Sequence, residues 1–316
     1  MTLQQMEYIL ALDKYRHFVL AAESCGVTQP TLSAMIQKLE EELGVKIFNR
    51  DKKGITPTSV GEKIIRQARI ALNESNRIKE VVADEVGTMS GSLHIGIIPT
   101  IAPYIVPDFI YHFRNDYPEM KLVVDERANN TLLNELKFGN IDMAITTSPG
   151  SGSEFLEIPI YIEHFVAYFS EKCNSGRNLF DDGNIPTEHM WILIEGHCIH
   201  GDSFSFCKNK EEGNHIYEAG SIDTLVRIVD RNGGYTIIPE LHLAFLTEQQ
   251  KKNSKVLSNL KQPAQRCVSI LIKEDFVRER VLNAVREVIS KIIPSYMMEE
   301  RFRKYNIKLR KKSQAD

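Results

Sequence analysis

The sequence predicts an α/β protein with a mostly α-helical N-terminal winged helix-turn-helix domain, a long connecting helix and a C-terminal region of two α/β subdomains. Three observations support this organisation. Two helical patterns joined by a glycine occupy residues 3–43, a charged segment with apolar flanks follows them, and beyond residue 92 short β-branched runs alternate with helical patterns. The 316 residues suffice for about two domains of ordinary size.

The helix-turn-helix is predicted by caps as well as by periodicity. Apolar residues recur at helical spacing over residues 3–25. Thr28 suits an N-cap, and Pro30 suits the first helical turn because its missing N–H costs nothing there. Gly44 then ends the second helix. A helix, a short turn and a second capped helix form a helix-turn-helix, and residues 45–58 have the pattern of a hairpin wing.

The start of the second helix carries side chains suited to reading the major groove of DNA. Glutamine can pair with adenine through two hydrogen bonds, and hydroxyls can serve bases or phosphates. The amides at a helix start also favour phosphate. The candidate residues are Thr28, Gln29, Pro30, Thr31 and Ser33. Arg50 and Lys52, in the wing, would hold the phosphate backbone without reading sequence.

The charge of this domain is only weakly positive. Residues 1–66 contain nine Lys and Arg against eight Asp and Glu. We therefore expect the basic groups on one face and Glu40–Glu42 facing away from it. The net charge of the whole chain is −3, so the total charge does not indicate nucleic-acid binding. A helical corner without a role in DNA binding is the alternative, but the turn, cap and wing together favour the DNA-binding interpretation.

A long amphipathic helix is predicted after residue 58. Its apolar and small residues alternate steps of three and four and form an a/d seam of about three heptads. The seam consists of Gly61, Ile64, Ala68, Ala71, Ser75, Ile78 and Val82. A coiled coil and a helix packed on its own domain fit this pattern equally well. We assign residues 1–58 to the DNA-binding domain and 59–88 to the linker and dimerisation helix.

Residues 89–300 alternate strand-like and helical segments, which indicates α/β lobes with parallel sheets. The region is long for one such sheet, so we expect two lobes. Subdomain I comprises about 92–162 and 268–300, and subdomain II comprises about 163–267. Residues 301–316 form a basic C-terminal tail, which is either solvated or in weak contact with phosphate.

The cellular compartment is predicted from what the sequence does not contain. The first 30 residues lack the charged start and unbroken apolar run of a signal peptide. No stretch approaches the roughly 18 apolar residues needed to cross a bilayer. We therefore expect a cytoplasmic protein without a membrane partner. Cytosolic thiols are kept reduced, which disfavours a permanent disulfide, and the number of cysteines, five, is odd.

The segment EGHCIHGDSFSFC, residues 195–207, holds two cysteines in polar surroundings. Zinc binding would use His197, Cys198, His200 and Cys207. However, adjacent ligands rarely point the same way, and the spacing matches no common zinc pair. Packing as a small apolar residue fits the other three cysteines better. A redox switch explains more, because a helix start or a nearby cation lowers the pKa of a thiol and favours the reactive thiolate. We expect Cys198 to open a helix, and we expect neither a metal nor a cofactor.

The first 60 residues resemble a known family. The segment FVLAAESCGVTQPTLSAMIQKLEEELGVKIFNRDKKGITPTSVGE is similar to the N-terminal domain of LysR-type transcriptional regulators. The likeness covers nearly the whole chain, and MSGSLHIGIIPTIAPYIVP and EGHCIHGDSFSFC resemble the peroxide-sensing members of the family. The resemblance implies a dimerising linker helix and a periplasmic-binding-protein-like regulatory domain of two subdomains. It also implies a homotetramer, a dimer of dimers, that binds double-stranded promoter DNA and contacts RNA polymerase.

The same resemblance implies roles for individual residues. Cys198 would be the thiol that hydrogen peroxide oxidises to sulfenic acid, and Cys207 would resolve it to a disulfide. Thiol activation or peroxide binding is implied for His197, Thr100, Asp202 and Arg266. The chain departs from the pattern by its extra thiols, Cys173 and Cys267, which would allow other pairings.

The spacing of the two thiols constrains how a disulfide between them could form. A helix would separate the Cα atoms of Cys198 and Cys207 by about 13 Å, and an extended strand would separate them further. A disulfide needs Cα atoms within about 7 Å. We therefore expect this segment to refold around Gly201 when the bond forms. The reduction potential of the bond should then be less negative than the roughly −300 mV of structural disulfides.

Two other functions fit part of the sequence. The α/β region could bind a small metabolite in the cleft between its lobes, with the helix starts in IPTIAP and GSIDTLVRIV offering amides to an anion. The cysteine pair could also belong to a peroxide-reducing enzyme. The enzyme is the weakest of the three hypotheses, because such an enzyme needs no helix-turn-helix.

Overall fold

A computed structural model describes residues 1–51, 54–87, 89–148, 153–171, 190–193, 200–201, 204–205, 215–217, 221–257, 264–300 and 307–309. The chain divides into two compact units, Met1–Val86 and Gly87–Asp316. Predicted site residues outside the described ranges are Lys52, His197, Cys198, Asp202 and Cys207. Within those ranges, no helix combines the length and the apolar character of a membrane span.

The first unit contains four helices and a two-stranded hairpin in the described residues. They are α1 (Leu3–Tyr15), α2 (Phe18–Ser24), α3 (Gln29–Leu43), β1 (Phe48–Asp51), β2 (Gly54–Pro57) and α4 (Ser59–Val86). The Thr28 hydroxyl accepts a hydrogen bond from the Thr31 amide at 3.5 Å, and Gly44 ends α3 with φ 68°. These are the caps that the sequence predicts. The two strands pair antiparallel and form the wing.

One apolar core joins the helices of the first unit. Leu32, Ile36 and Leu39 of α3 are fully buried. They belong to the same cluster as Ile9 and Leu12 of α1. Because α3 buries this face, the polar residues of its first turn lie on the opposite, solvent-exposed side.

Helix α4 has two different halves: the first packs on its own domain, and the second exposes its apolar residues. Ile65 and Ala68, in the first half, are buried in the core of the N-terminal unit. Gly61, which the sequence places in the seam, instead packs against the wing: a Cβ there would lie 1.9 Å from the carbonyl oxygen of Ile47. In the second half, Ile78 and Val82 are exposed at 69% and 58%.

The second unit begins with two βα repeats and a third parallel strand, and continues with longer crossing strands. Its described elements are β3 (Gly91–Ile97), α5 (Ala102–Asp116), β4 (Met120–Glu126), α6 (Asn129–Lys137), β5 (Met143–Thr147), β6 (Phe155–Phe169), β7 (Met190–Leu193), β8 (His200–Gly201), β9 (Phe204–Ser205), β10 (His215–Tyr217), α7 (Ile222–Asn232), β11 (Tyr235–Pro239), a 3-10 helix (Glu240–Phe245), α8 (Glu248–Lys252), β12 (Ser254–Val256), β13 (Gln265–Lys273), α9 (Glu279–Ile292) and a 3-10 turn (Ser295–Met297).

The sheet is mixed, which corrects the expectation of parallel sheets. Its order is β10-β7-β11-β6-β13-β5-β3-β4, and β12 also pairs with β6. The strands β3, β4 and β5 pair parallel, as do β7, β10 and β11. In contrast, β6 and β13 pair antiparallel with each other. A long antiparallel pair therefore joins two parallel halves.

The predicted subdomain boundaries fall inside this central pair. Residues Phe155–His164 of β6 pair with β13, and Phe165–Phe169 pair with β11. The strand thus changes partner one residue after His164. Separate apolar clusters lie on the two sides, one around Phe109 and Leu282 and the other around Val229 and Ile238. The crossing strands place Glu163 and Arg266 between the two halves.

Two expectations about shorter segments need correction. The helix expected from Cys198 is absent at the described residues that follow it, because His200 and Gly201 pair antiparallel with Ser205 and Phe204. The basic tail is also not wholly solvated. Ile307 and Leu309 pack against the core, and Asn283 exchanges two hydrogen bonds with the backbone of Ile307 at 3.0 and 2.8 Å.

Candidate functional site

The predicted DNA-contacting residues of α3 share one exposed turn. Thr28, Gln29, Pro30 and Thr31 are exposed, and Ser33 is half-buried. The hydroxyls of the two threonines lie 2.8 Å apart. The cap that starts the helix therefore also fixes two hydroxyls at the exposed end, where backbone amides can meet a phosphate.

Arg50 extends from the wing beside the helix-turn-helix. Its guanidinium lies 5.0 Å from the ring centroid of Phe18 in α2. One of its nitrogens, Nη2, lies 3.6 Å from the Glu40 carboxylate. These two contacts orient the side chain while leaving it 37% exposed, so its charge stays available to a phosphate. Lys52 lies outside the described residues.

We expected Glu40 to face away from the basic groups together with Glu41 and Glu42, and this expectation is wrong for Glu40. Its side chain is buried and accepts hydrogen bonds from the amides of Ile47 and Phe48 at 2.8 and 3.1 Å. Burial alone would raise the pKa of Glu40, but the two amides and Lys46 outweigh it and lower this pKa. Glu40 thus fastens the start of the wing to α3. Its position four residues after buried Ile36 was the available signal.

A buried polar cluster lies between the two halves of the sheet. Arg266 of β13 donates from Nη1 to the Thr100 hydroxyl and from Nη2 to the Thr100 carbonyl, both at 2.8 Å. Both residues are 1% exposed. The family resemblance implies a shared site for Thr100 and Arg266, and the structure brings them into direct contact although they are 166 positions apart.

Glu163 completes this cluster, and the sequence analysis missed it. Arg266 donates from Nε to Glu163 at 2.8 Å, and its Nη2 lies 2.7 Å from the same carboxylate oxygen. The second carboxylate oxygen accepts from the Leu241 amide at 3.1 Å. Burial raises the pKa of Glu163, although the Arg266 guanidinium opposes this. A single carboxylate within the apolar run YIEHFVAYF was the signal that could have found it.

The cluster leaves a hydrogen-bond donor for a ligand. A hydroxyl has one donor and two acceptor positions. Because Arg266 occupies an acceptor position of Thr100, the O–H bond of Thr100 remains to donate. The Cα atoms of β8 and β13 also approach within 8 Å. Part of β13, the strand that carries Arg266, therefore lies near His200 and Gly201 of β8.

A second buried pair joins the two halves nearby. The Tyr104 hydroxyl lies 3.1 Å from Nδ1 of His242, and the two rings meet edge to face at 5.9 Å. Nε2 of His242 lies 3.9 Å from the Asp223 carboxylate. Burial lowers the pKa of His242, and Asp223 partly opposes this. Thr100 lies two residues before α5 and Tyr104 lies in its first turn, so both contacts hold the start of α5.

In the described ranges, no group of three or more His, Cys, Asp or Glu side chains could hold a metal ion. The zinc alternative concerned His197, Cys198, His200 and Cys207. Three of these lie outside the described residues, and His200 lies in β8.

Comparisons with known proteins match both units. The profile of the bacterial regulatory helix-turn-helix proteins of the lysR family matches residues 3–62, and the LysR substrate binding domain matches residues 87–291. The "Hydrogen peroxide-inducible genes activator" of Haemophilus influenzae is 31% identical over 300 residues, covering 93% of this chain and 99% of the relative. The "DNA-binding transcriptional dual regulator OxyR" of Escherichia coli K12 is 32% identical over 276 residues, covering 86% and 90%.

A solved structure shares the fold over almost the whole chain. Full-length OxyR from Pseudomonas aeruginosa, in a single-residue variant, superposes with a TM-score of 0.75 at 28% identity. The superposition covers 95% of this chain and 98% of that protein.

Proposed function

The chain belongs to the LysR family of bacterial transcriptional regulators, and from this premise we propose that it is an OxyR-type regulator that senses hydrogen peroxide and controls oxidative-stress genes. It is a DNA-binding regulator and not an enzyme. The observation that carries the proposal is the buried contact between Arg266 and Thr100. The family resemblance implies that both residues act on peroxide, and the strand that carries Arg266, β13, has Cα atoms within 8 Å of β8.

The reaction is a two-electron oxidation of two thiols. The thiolate of Cys198 attacks one oxygen of hydrogen peroxide, the O–O bond breaks, and the second oxygen leaves as hydroxide and takes up a proton to become water. Cys198 becomes a sulfenic acid. The thiolate of Cys207 then attacks the Cys198 sulfur and releases a second water as the disulfide forms. Both cysteines lie outside the described residues.

The strand pair β8–β9 suggests a third geometry for this disulfide, a hairpin, besides the helix and the extended chain. Directly opposite residues of an antiparallel pair have Cα atoms about 4.5–5.5 Å apart, which is within disulfide range. His200 pairs with Ser205, so a hairpin prolonged by two residues in this register would set position 198 opposite position 207. In our proposal the hairpin is the form in which the bond closes, and oxidation favours it over other conformations.

In this proposal four residues bind the peroxide or activate the thiol: Thr100, Arg266, His197 and Asp202. The Thr100 hydroxyl and the Arg266 guanidinium donate hydrogen bonds to the peroxide oxygens, and they stabilise the charge that develops as the O–O bond breaks. His197 and Asp202 act on the thiol itself. The described part of the site supports the first role, since both donors are buried and fixed.

The N-terminal unit transmits the signal to promoter DNA. The exposed start of α3 reads the major groove, and Arg50 with Lys52 holds the backbone. The exposed apolar residues in the second half of α4, including Ile78 and Val82, support a dimer formed through this helix. In our proposal two dimers form a tetramer that contacts RNA polymerase, and oxidation changes the spacing of the recognition helices.

The test compares DNA footprints before and after peroxide for the parent protein and for Cys198→Ser. We expect the footprint to change only in the parent protein, because the variant lacks the reacting thiol. Cys267→Ser, which removes a thiol from β13 instead, is the control and should respond like the parent. Mass spectrometry of the parent should identify a disulfide between Cys198 and Cys207. A response that survives in Cys198→Ser would contradict the proposal.

The second candidate is a LysR-type regulator that binds a small molecule in the cleft between the regulatory subdomains. It is favoured by the match of residues 87–291 to the LysR substrate binding domain. Under this function Cys198→Ser would keep its response to the natural signal. The same footprint experiment therefore separates the two candidates.

A further inference from the structure

The guanidinium of Arg266 is held by a carboxylate as well as by Thr100. The guanidinium is held on two sides, by Thr100 through Nη1 and Nη2 and by Glu163 through Nε and Nη2. Contacts on both sides leave it little freedom to rotate. The carboxylate is in turn fixed by the Leu241 amide. Glu163 is therefore the link between Arg266 and the 3-10 helix of the opposite half.

The ion pair between Arg266 and Glu163 also determines the net charge of the site. Arg266 and Glu163 are 1% and 0% exposed, and their nearest atoms lie 2.7 Å apart. A buried guanidinium without a carboxylate would attract an anion, because an unpaired charge in a protein interior is strongly unfavourable. With Glu163 in place, the positive charge is already neutralised. The site then offers polarised donors without a net charge.

We infer that Glu163 is a positioning and specificity-determining residue for the peroxide reaction: it holds Arg266 against Thr100 and neutralises it, so that the site accepts neutral hydrogen peroxide rather than a small anion. This inference rests on the proposed function. It explains why a cluster built around an arginine can serve an uncharged substrate.

The experiment measures the rate of Cys198 oxidation by hydrogen peroxide in the full chain. Reduced protein is mixed with peroxide, quenched at intervals by alkylation and analysed by mass spectrometry. We expect Glu163→Gln to lower the second-order rate constant by about 10- to 100-fold, as loss of outer-shell partners and small misplacements do at other reactive sites. Glu163→Asp, which keeps the charge, should recover part of this rate.

Anion sensitivity is the readout that a merely structural role of Glu163 would not change. The rates are measured again with chloride exchanged for a bulky organic sulfonate at constant ionic strength. Chloride should slow Glu163→Gln, because its Arg266 lacks a counterion. Chloride should leave the parent protein and Glu163→Asp unaffected. The control is Glu157→Gln, on the same strand, whose carboxylate accepts from Ser269 and Ser148 rather than from an arginine; it should behave like the parent.

The outcomes distinguish this inference from the proposed function. If Cys198 of the parent protein does not react with peroxide, the proposed function fails and this inference fails with it. If the parent reacts but Glu163→Gln reacts equally fast and ignores chloride, only the inference is overturned. Should Glu163→Gln fail to fold, Glu163→Asp decides. A rate equal to the parent's would contradict positioning, because the shorter carboxylate cannot keep both the Arg266 and the Leu241 contacts.

Discussion

Two glutamates, one in each unit, have buried carboxylates that are compensated by different partners. Glu40 and Glu163 are 3% and 0% exposed, and each accepts hydrogen bonds from backbone amides and faces an arginine. The two amides bonded to Glu40 lie seven and eight positions along the chain. The partners of Glu163 lie 78 and 103 positions away. The first carboxylate stabilises a local turn, whereas the second joins distant strands.

The pKa values of the two carboxyls are also shifted in opposite directions, because their partners offset burial to different extents. Burial raises the pKa of both, but two amides and Lys46 reverse this at Glu40. At Glu163 burial outweighs the guanidinium and the single amide. The charged partners of Glu40, Lys46 and Arg50, are 70% and 37% exposed, whereas Arg266 is itself buried. Loss of a partner should therefore cost more at Glu163.

The largest effect is expected for Arg266→Met. Removing one member of a buried ion pair leaves an uncompensated charge, so the free energy of unfolding of the regulatory unit should fall by about 3–5 kcal/mol. Urea titration followed by circular dichroism would measure it. Arg266→Met/Glu163→Leu should recover most of the loss, because no buried charge remains. A double variant as unstable as the single one would show that the pair contributes mainly through packing.

The pH dependence of Arg266→Met has a definite sign. Without the guanidinium, the pKa of Glu163 in the folded protein rises further above its value in the unfolded chain. A group with a raised folded pKa contributes most stability below the unfolded pKa and loses it as the pH rises through the folded one. The unfolding free energy of the variant should therefore be closer to that of the parent protein at about pH 5 than at neutral pH.

A smaller effect is expected for Glu40→Ala in the N-terminal unit. The buried amides of Ile47 and Phe48 would lose their acceptor, at a cost of about 1.5–3 kcal/mol in unfolding free energy. Since the pKa of Glu40 is lowered by folding, this contribution is present above the unfolded pKa and lost as the pH falls. Glu41→Ala, at an exposed neighbour, is the matched control and should change stability by less than about 0.5 kcal/mol.

Loss of the α3 helix cap should lower the unfolding free energy by less than Glu40→Ala does. Thr28→Ala removes the hydroxyl that accepts from the Thr31 amide, so the unfolding free energy should fall by about 1 kcal/mol. Thr28→Ser keeps the hydroxyl and should fold like the parent protein. Promoter affinity measured on both variants would show whether the hydroxyl also contacts DNA. Equal stability of both variants would contradict the capping role.

The smallest effect concerns His242 on the regulatory side. Because burial lowers its pKa in the folded protein, the stability it contributes is present above the unfolded pKa of about 6.5 and is lost as the pH falls. His242→Gln keeps a partner for Tyr104 but cannot titrate. The unfolding free energy of this variant should fall less than the parent's between about pH 7.5 and 5.5. Parallel curves for the two proteins would contradict a lowered pKa.

Local features were predictable where one short segment contains both the signal and its partner. The cap at Thr28 and the turn at Gly44 lie at the predicted positions. The helix of residues 59–88 is observed as Ser59–Val86. The contact between Thr100 and Arg266 was anticipated only through the family resemblance, because no spacing rule connects positions 166 residues apart.

The sequence by itself determined the capped helix-turn-helix, the wing, the long helix and the order of the α/β segments, because caps, glycine turns and apolar periods act over a few residues. Tertiary structure alone decided that Glu163 neutralises Arg266 and that the central strands pair antiparallel. It also decided which half of α4 is buried in its own domain. The physical reason is that burial and pairing between distant strands depend on the whole fold, and a charge inside an apolar strand does not reveal which distant residue will balance it.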